Sequence, residues 1–468
     1  MLLTLVGFYL VVSVAIGLVA ARQVHSTSDY ITAGRHLPMP VVLAMVFATW
    51  FGAETVLGIS ATFLEEGFRG LISDPLGASL CLVIFGLVFA LPLYRMKLMT
   101  LGDFFRIRYN RQTELIISLC IVVSYLGWVS AQITALGLVF NVISNDLLSM
   151  EQGMLIGAGV VLIYTVFGGM WSVAATTFVQ MIVIVIGLLI VTSIAGDMAG
   201  GMSAVVSKAA AEGKFEWLPS LDLLDMLGWI AALLTMALGS IPQQDVFQRV
   251  NASKSERVAV WATTLGGISY FFFAAVPLFL AYSATLIDPQ TTATLMEQDS
   301  QLVLPSLVAL HMPFWVQVVF FGALLSVIMS TAAGTLLAPS VTFAENVIKG
   351  AVPHMTDSQL LLTTRATVFV FTLIVTIYAL TTDESIHGMV ENAYRITLAG
   401  AFVPLVAGLF WKRASNLGAM LAVVFGLGTW LMLEFSGAEL LVEPQLVGLL
   451  FSAVGMVVGS LIAPGDRR

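Results

Sequence analysis

Two adjacent hydroxyls, Ser330 and Thr331, stand in an otherwise apolar run, and a lone carboxylate, Glu54, stands deep inside another. Hydroxyls and backbone carbonyls are hard oxygen ligands that can hold a cation such as sodium without bringing a full negative charge. The same hydroxyls can instead bond back to the carbonyl four residues earlier and bend their own helix. A carboxylate among apolar residues is costly unless it is paired, protonated or hydrated. Glu54 can therefore hold a cationic amine, accept hydrogen bonds from a hydroxylated or amino-acid solute, be protonated, or bond within the scaffold. A second polar cluster reads Gly239-Ser240-Ile241-Pro242-Gln243-Gln244-Asp245. Its two glutamines can meet a solute or satisfy the carbonyls that Pro242 leaves free. Two charge pairs have i,i+4 spacing. Glu391 and Arg395 read as an ion pair, with a gating role as the lesser alternative. Asp245 and Arg249 read as a gate contact or a plain surface ion pair. The histidines at 25, 36, 311, 354 and 387 are scattered and form no cluster with Cys or Asp, so enzyme chemistry is not expected. Cys81 and Cys120 lie in apolar runs and offer no disulfide framework.

The elements that must position these groups are apolar helices. Of the 468 residues, 59% are apolar and 10% charged, against roughly 25% charged in a soluble domain. Such a chain cannot cover itself with polar groups, so its solvent is lipid and the expected class is an all-α membrane protein. The net charge of −8 argues against nucleic acid as a partner. The first apolar run lacks the basic n-region of a cleavable signal.

A crossing takes about 20 apolar residues. About thirteen transmembrane spans are predicted, at roughly 3–21, 38–63, 73–94, 114–143, 150–168, 172–196, 225–245, 257–284, 313–346, 360–381, 387–410, 416–435 and 444–463. The runs at 114–143 and 313–346 are too long for a straight crossing. The loops at 197–224 and 285–312 are expected to carry short surface helices. Lys and Arg set the orientation. Sixteen of them, Arg22, Arg35, Arg95, Lys97, Arg106, Arg108, Arg111, Arg249, Lys254, Arg257, Lys349, Arg365, Lys412, Arg413, Arg467 and Arg468, fall on one set of alternate loops. Only Arg69, Lys208 and Lys214 fall on the other. This predicts an N-terminus outside and a C-terminus inside, in the plasma (inner) membrane.

Two spans should be broken. The second holds Thr49, Trp50, Phe51, Gly52 and Thr55, all poorer helix formers than Ala or Leu. The seventh holds Gly239 and Pro242. Carbonyls freed at membrane depth are tolerated only where protein buries them or they line a cavity. Spans 2–6 and 7–11 make two sets of five, and an odd number inverts the second set relative to the first. Matched breaks in inverted halves point to a transport site.

At these residues the chain resembles the sodium/solute symporter family. Tyr164-Thr165-Val166-Phe167-Gly168-Gly169 is similar to the hairpin between the family's fifth and sixth helices. Phe321-Gly322-Ala323 through Met329-Ser330-Thr331-Ala332 resembles its ninth helix, and Gly408-Leu409-Phe410-Trp411-Lys412-Arg413 the exit of its eleventh. Ala48-Thr49-Trp50, Ile241-Pro242, Phe247-Gln248-Arg249-Val250 and the region from Leu302 to Ser330 look like its high-affinity choline transporters.

The resemblance implies a leucine-transporter-type core of two inverted five-helix repeats. The divisions would be 1–37 (an outer helix and loop), 38–199 (first repeat), 200–411 (second repeat) and 412–468 (two further helices). It implies sodium ligands from Ala48, Phe51, Val327, Ser330 and Thr331. A second ion site is expected to be absent, because Thr177 stands at its aspartate position and Ala332-Ala333-Gly334 lacks extra serines. It implies a solute pocket between the breaks, lined by Trp50, Glu54, Thr55, Trp128, Gln132, Gln243 and Gln244. Trp50 and Trp128 resemble aromatic positions that cage a quaternary ammonium, whereas Gln243 departs from a tryptophan there. Glu54 stands where the family's choline transporters have glycine, whereas its sugar carriers have a glutamate near the substrate. The implied function is sodium-coupled import of a small organic solute by alternating access, leaning to an amine such as choline. Proline or another amino acid, a sugar or a carboxylate is the alternative solute. A solute sensor is the rival reading, against which no signalling domain follows the last span. The expected partners are sodium, the solute and the bilayer, with no obligate protein partner.

Overall fold

The computed structural model describes residues 1–464 except 146, 353 and 437–441, and among them there are helices but no strand. Arg467 and Arg468 of the basic set lie outside the described residues. The helices that position the site are α1 (Leu2–Ala20), α2 (Met39–Trp50), α3 (Ile59–Glu66), α4 (Leu101–Arg108), α5 (Arg111–Ile143) and α6 (Met150–Met198). Next come α7 (Leu223–Gly239), α8 (Gln244–Asn251), α9 (Glu256–Phe273), α10 (Ala275–Ile287) and α11 (Phe314–Thr342). The chain finishes with α12 (Asp357–Thr381), α13 (Ile386–Thr397), α14 (Val403–Phe410), α15 (Asn416–Ser436) and α16 (Pro444–Ile462). Short helices Met202–Ala211, Pro289–Gln298 and Val303–His311 form in the two long loops, as expected.

Local sequence explains the helix starts. Asn110 caps α5 by accepting from Thr113 N, and Ser149 and Thr356 form capping boxes with Gln152 and Gln359 at the starts of α6 and α12. A straight helix as long as α6 would measure about 74 Å, more than twice the roughly 30 Å hydrocarbon core. It breaks at Gly169, where φ is 49° and ψ is −135°. A Cβ at that position would sit 2.4 Å from the Tyr30 carbonyl oxygen, so only glycine fits.

Among the described residues, ten helical stretches are long and apolar enough to cross a membrane, or eleven if the bent pair of α7 and α8 is one span. Thirteen crossings result if the α7–α8 pair counts as one, residues 54–95 and 150–198 each cross twice, at their breaks near Asp74 and at Gly169, and α2 forms one crossing together with α3.

The core is built on α5, α6 and α11, which pack on one another, while α15 and α16 pack chiefly against each other. Within the most apolar window of residues 314–351, 78% of residues are buried, against 28% for α15. The outer helices carry exposed Phe8, Val11, Phe369, Leu373 and Ile377. Such a belt would be untenable in water and is ordinary against lipid. At the arginine-rich end, the elements are laced together. Asn346 donates to Glu114 at 2.8 Å and Asp103 at 3.3 Å, and Arg111 meets Glu114 at 2.7 Å.

Candidate functional site

The first break fixes the geometry of everything around it. α2 ends at Trp50, and Phe51 leaves helical space (φ −77°, ψ 74°). Gly52 N, which would normally reach the Ala48 carbonyl, donates to Trp50 O at 2.8 Å instead. Thr55 N, the normal partner of the Phe51 carbonyl, donates to Gly52 O at 3.2 Å. The Ala48 and Phe51 carbonyls are thereby released in a fully buried place. The Thr331 hydroxyl on α11 reaches across to both, at 3.0 Å and 3.3 Å. Ser330 Oγ donates to Val327 O, three residues earlier, at 2.8 Å. Of the two adjacent hydroxyls, Ser330 bonds back into its own helix and Thr331 does not. All five residues are buried, and the oxygens they contribute are formally neutral.

Immediately after the break comes Glu54, 1% exposed. Its carboxylate accepts from Trp128 Nε1 at 3.2 Å and from Gln132 Nε2 at 2.7 Å. Gln132 also accepts the loose Ala53 N–H at 3.0 Å, so one side chain on α5 holds both the turn and the acid. Trp50 and Trp128 stack with ring centroids 4.9 Å apart, and Tyr125 stacks on the far face of Trp128 at 5.7 Å. Tyr394 of α13 meets both indoles edge-on, at 5.7 Å and 5.6 Å. The Trp50 N–H and the Tyr394 hydroxyl have no hydrogen-bond partner. Thr55 faces a different network: its hydroxyl donates to Trp50 O at 2.7 Å and lies 2.9 Å from the Tyr270 hydroxyl. Tyr270 in turn donates to Asp74.

The second break lies between α7 and α8, which are bent by 43°. The span expected to finish at 245 continues through α8 to Asn251, because the polar residues there are buried rather than at a surface. Gln243 joins the site, donating to Ser124 of α5 and Thr397 of α13, both at 3.3 Å. Gln244 points elsewhere: its Oε1 accepts Leu101 N at 2.8 Å and caps α4.

The expected Asp245–Arg249 pair does not form. Asp245 takes the Tyr125 hydroxyl at 2.5 Å, and Arg249 donates to Met45 O at 2.6 Å and to Thr49 Oγ1. Both residues are 1% exposed, so they make no surface ion pair. The helix spacing brings them to one face, but the tyrosine and the carbonyl, both pinned by neighbouring helices, are better-placed partners. Glu391 and Arg395 do pair, at 3.5 Å, with Glu434 as a further partner of Arg395 at 3.4 Å. The Thr177 hydroxyl and both polar atoms of the Gln180 amide are buried without hydrogen-bond partners.

A cavity of about 520 Å³ is lined in part by Glu65, Glu66, Arg69, Ser73, His387 and Glu391. Ser73, His387 and Glu391 also line a narrow cleft that reaches Asp74 and Tyr394. Tyr394, at the end of that cleft, is the residue that meets both Trp50 and Trp128. Sequence reasoning missed Asp74, Tyr125, Tyr270 and Tyr394. Tyr125 was findable, since it sits three residues before Trp128 on the same helical face. Asp74 sits at the edge of an apolar run, where an acid attracts no notice.

A model of the sodium:solute symporter family matches residues 30–426. The human high affinity choline transporter 1 is 28% identical over 463 residues, covering 94% of this chain and 77% of that protein. The sodium/glucose cotransporter of Vibrio parahaemolyticus is 26% identical over 505 residues, covering 97% and 89%. Among solved structures, a Na+-coupled sialic acid symporter in a substrate-bound outward-open state aligns over 100% of this chain and 99% of that chain, with a TM-score of 0.83 and 16% identity. At that identity the likeness is one of fold, and the core is leucine-transporter-type.

Proposed function

The chain belongs to the sodium:solute symporter family, and from that premise we propose that it moves one sodium ion with one small organic solute, an amine or quaternary ammonium such as choline, inward across the plasma membrane by alternating access. Sodium-coupled symport is the family's activity; the stoichiometry, solute, direction and residues are our reading. One observation carries it: the Thr331 hydroxyl meets the two carbonyls that the break in the first repeat sets free, 3.0 Å from Ala48 O and 3.3 Å from Phe51 O. Sodium at Ala48, Phe51, Val327, Ser330 and Thr331 would replace weak hydrogen bonds with ion–oxygen contacts and tie α2 to α11. The solute then completes the pocket, one side closes, and the ion leaves on the other. A single charge crossing 100 mV releases about 2.3 kcal/mol, so one sodium with its gradient can concentrate a neutral solute roughly a hundredfold.

Trp50, Trp128 and Tyr394 present aromatic faces and edges beside the Glu54 carboxylate. Aromatic faces attract an ammonium, more strongly when water is excluded, and Glu54 supplies counter-charge. Likeness to a choline transporter agrees with this. A second reading, a hydroxylated or amino-acid solute, is favoured by Gln132, whose amide already pairs with Glu54 at 2.7 Å and is well placed for a hydrogen-bonding guest.

The test is thermal stabilisation of the purified protein in sodium against potassium, screened with choline, betaine, proline, sugars and carboxylates. The amine reading expects a sodium-dependent shift with choline or betaine. A shift with a sugar alone replaces it by the second reading. Sodium stabilisation that survives in both Ser330→Ala and Thr331→Ala overturns the ion site.

A further inference from the structure

We infer that the guanidinium of Arg249 is a resident cation that sets the sodium affinity of the site one helical turn away; this rests on the ion site proposed above. Arg249 is 1% exposed. Among the described residues no carboxylate oxygen lies within 4 Å of it. The one acid on its own helix, Asp245, is engaged by the Tyr125 hydroxyl at 2.5 Å. Nη1 donates to Met45 O at 2.6 Å and to Thr49 Oγ1, and Nη2 has no partner. Nη2 lies against Gly334 so closely that a Cβ there would be 2.0 Å from it.

These contacts locate the charge. Met45 precedes Ala48 by three residues on α2, and Gly334 follows Thr331 by three on α11. Three residues of helix advance about 4.5 Å. The guanidinium therefore sits about one turn from the oxygen cluster on both helices that form it. At that separation two positive charges repel each other strongly, because buried protein screens far less than water and salt do not enter. An ion site that must empty on every cycle needs limited affinity, and a fixed cation limits it without removing a ligand. Arginine suits the task because it keeps its proton even when buried.

A purely structural arginine would give the same contacts, so the test separates charge from shape. Sodium half-saturation is read from thermal stabilisation or tryptophan fluorescence of the purified full chain, with potassium as the control. Arg249→Gln is expected to lower the half-saturating sodium concentration at least tenfold. Arg249→Lys, which keeps the charge, is expected to stay within about threefold of the parent. Should Arg249→Gln fail to fold, Arg249→Met fills the same space with an apolar chain, a replacement that buried ions often tolerate, and carries the same expectation. Unchanged or weakened sodium affinity in the neutral variants overturns the inference, as does an equal shift in Arg249→Lys. Thr331→Ala in the parent background separates the two readings. Loss of sodium stabilisation there, with no change in Arg249→Gln, rejects only the role of Arg249. Stabilisation retained at the parent's half-saturating sodium in both Thr331→Ala and Ser330→Ala rejects the ion site and this inference with it.

Discussion

The two broken helices occupy matching places in the chain, yet they dispose of their freed backbone groups in different ways. In the second, the turn closes on itself: Ser240 N reaches Met236 O, Ile241 N reaches Leu238 O, and Gln243 N reaches Ser240 O. The remaining Gly239 carbonyl takes the Thr397 hydroxyl at 2.6 Å. In the first, two carbonyls stay free of their own helix and face a hydroxyl on another, while the loose Ala53 N–H is taken by Gln132. One break hands two carbonyls to a single hydroxyl on a neighbouring helix; the other hands out one and closes the rest of its turn locally. Glu54 lies beside the first break, and Gln243 and the tyrosine-bonded Asp245 lie beside the second. Similar interruptions thus give chemistry of different kinds, because what a break offers depends on which neighbours complete it.

This contrast ranks the expected effects of mutation. The largest belongs to the first break. Removing the Thr331 hydroxyl would take away one proposed sodium ligand, and a contact of this kind to a charged group is worth about 1.5–3 kcal/mol. Thr331→Ala should raise the half-saturating sodium concentration roughly 10- to 150-fold. Sodium-dependent uptake into proteoliposomes measures it, and an effect under threefold would erase the distinction between the breaks.

Next comes Glu54→Gln. It removes the counter-charge for an ammonium while leaving a side chain of the same shape, and should weaken solute binding roughly tenfold or more by loss of a charge-assisted contact. Sodium affinity in the absence of solute should change much less. If Glu54→Gln tightens solute binding, the amine reading gives way to a neutral hydrogen-bonding guest.

Gln243→Ala is expected to be milder, because its two bonds are long, neutral ones at 3.3 Å. A loss of about 1 kcal/mol in solute binding, or about fivefold, is the scale for such contacts. Sodium half-saturation should be unchanged, and a sodium defect as large as that of Thr331→Ala would show that the second break also feeds the ion site. The smallest change is Thr397→Val, which leaves Gly239 O without its donor. It should cost about 1 kcal/mol of stability, seen as a small drop in melting temperature with sodium affinity intact.

Much of this arrangement was legible because the membrane imposes strong rules on sequence. Apolar run length announced the helices, and Gly52 and Pro242 announced the breaks. The hydroxyl pair was conspicuous because its surroundings are apolar. Residues were missed where burial overrode appearance. Gln248 and Arg249 look like the polar end of a span, so the seventh span was expected to stop at 245, yet α8 continues through them with both almost wholly buried. Gln244 looks equivalent to Gln243 in sequence, but the turn sends one toward Ser124 and Thr397 and the other to the start of α4.

What the sequence by itself determined was the solvent, the helices, the two interruptions and the polar groups that lipid would not tolerate unaccompanied. Those follow from local energetics: each is a property of a residue and its near neighbours along the chain. Only the tertiary structure decided the partners. Thr331 lies 283 residues from Ala48, and Trp128 lies 74 from Glu54. Arg249 turned from Asp245, four residues away, to Met45, 204 residues away. Hydrogen bonds and ion contacts fall off within a few ångströms, so their pairing is settled by helix packing, which no local pattern encodes.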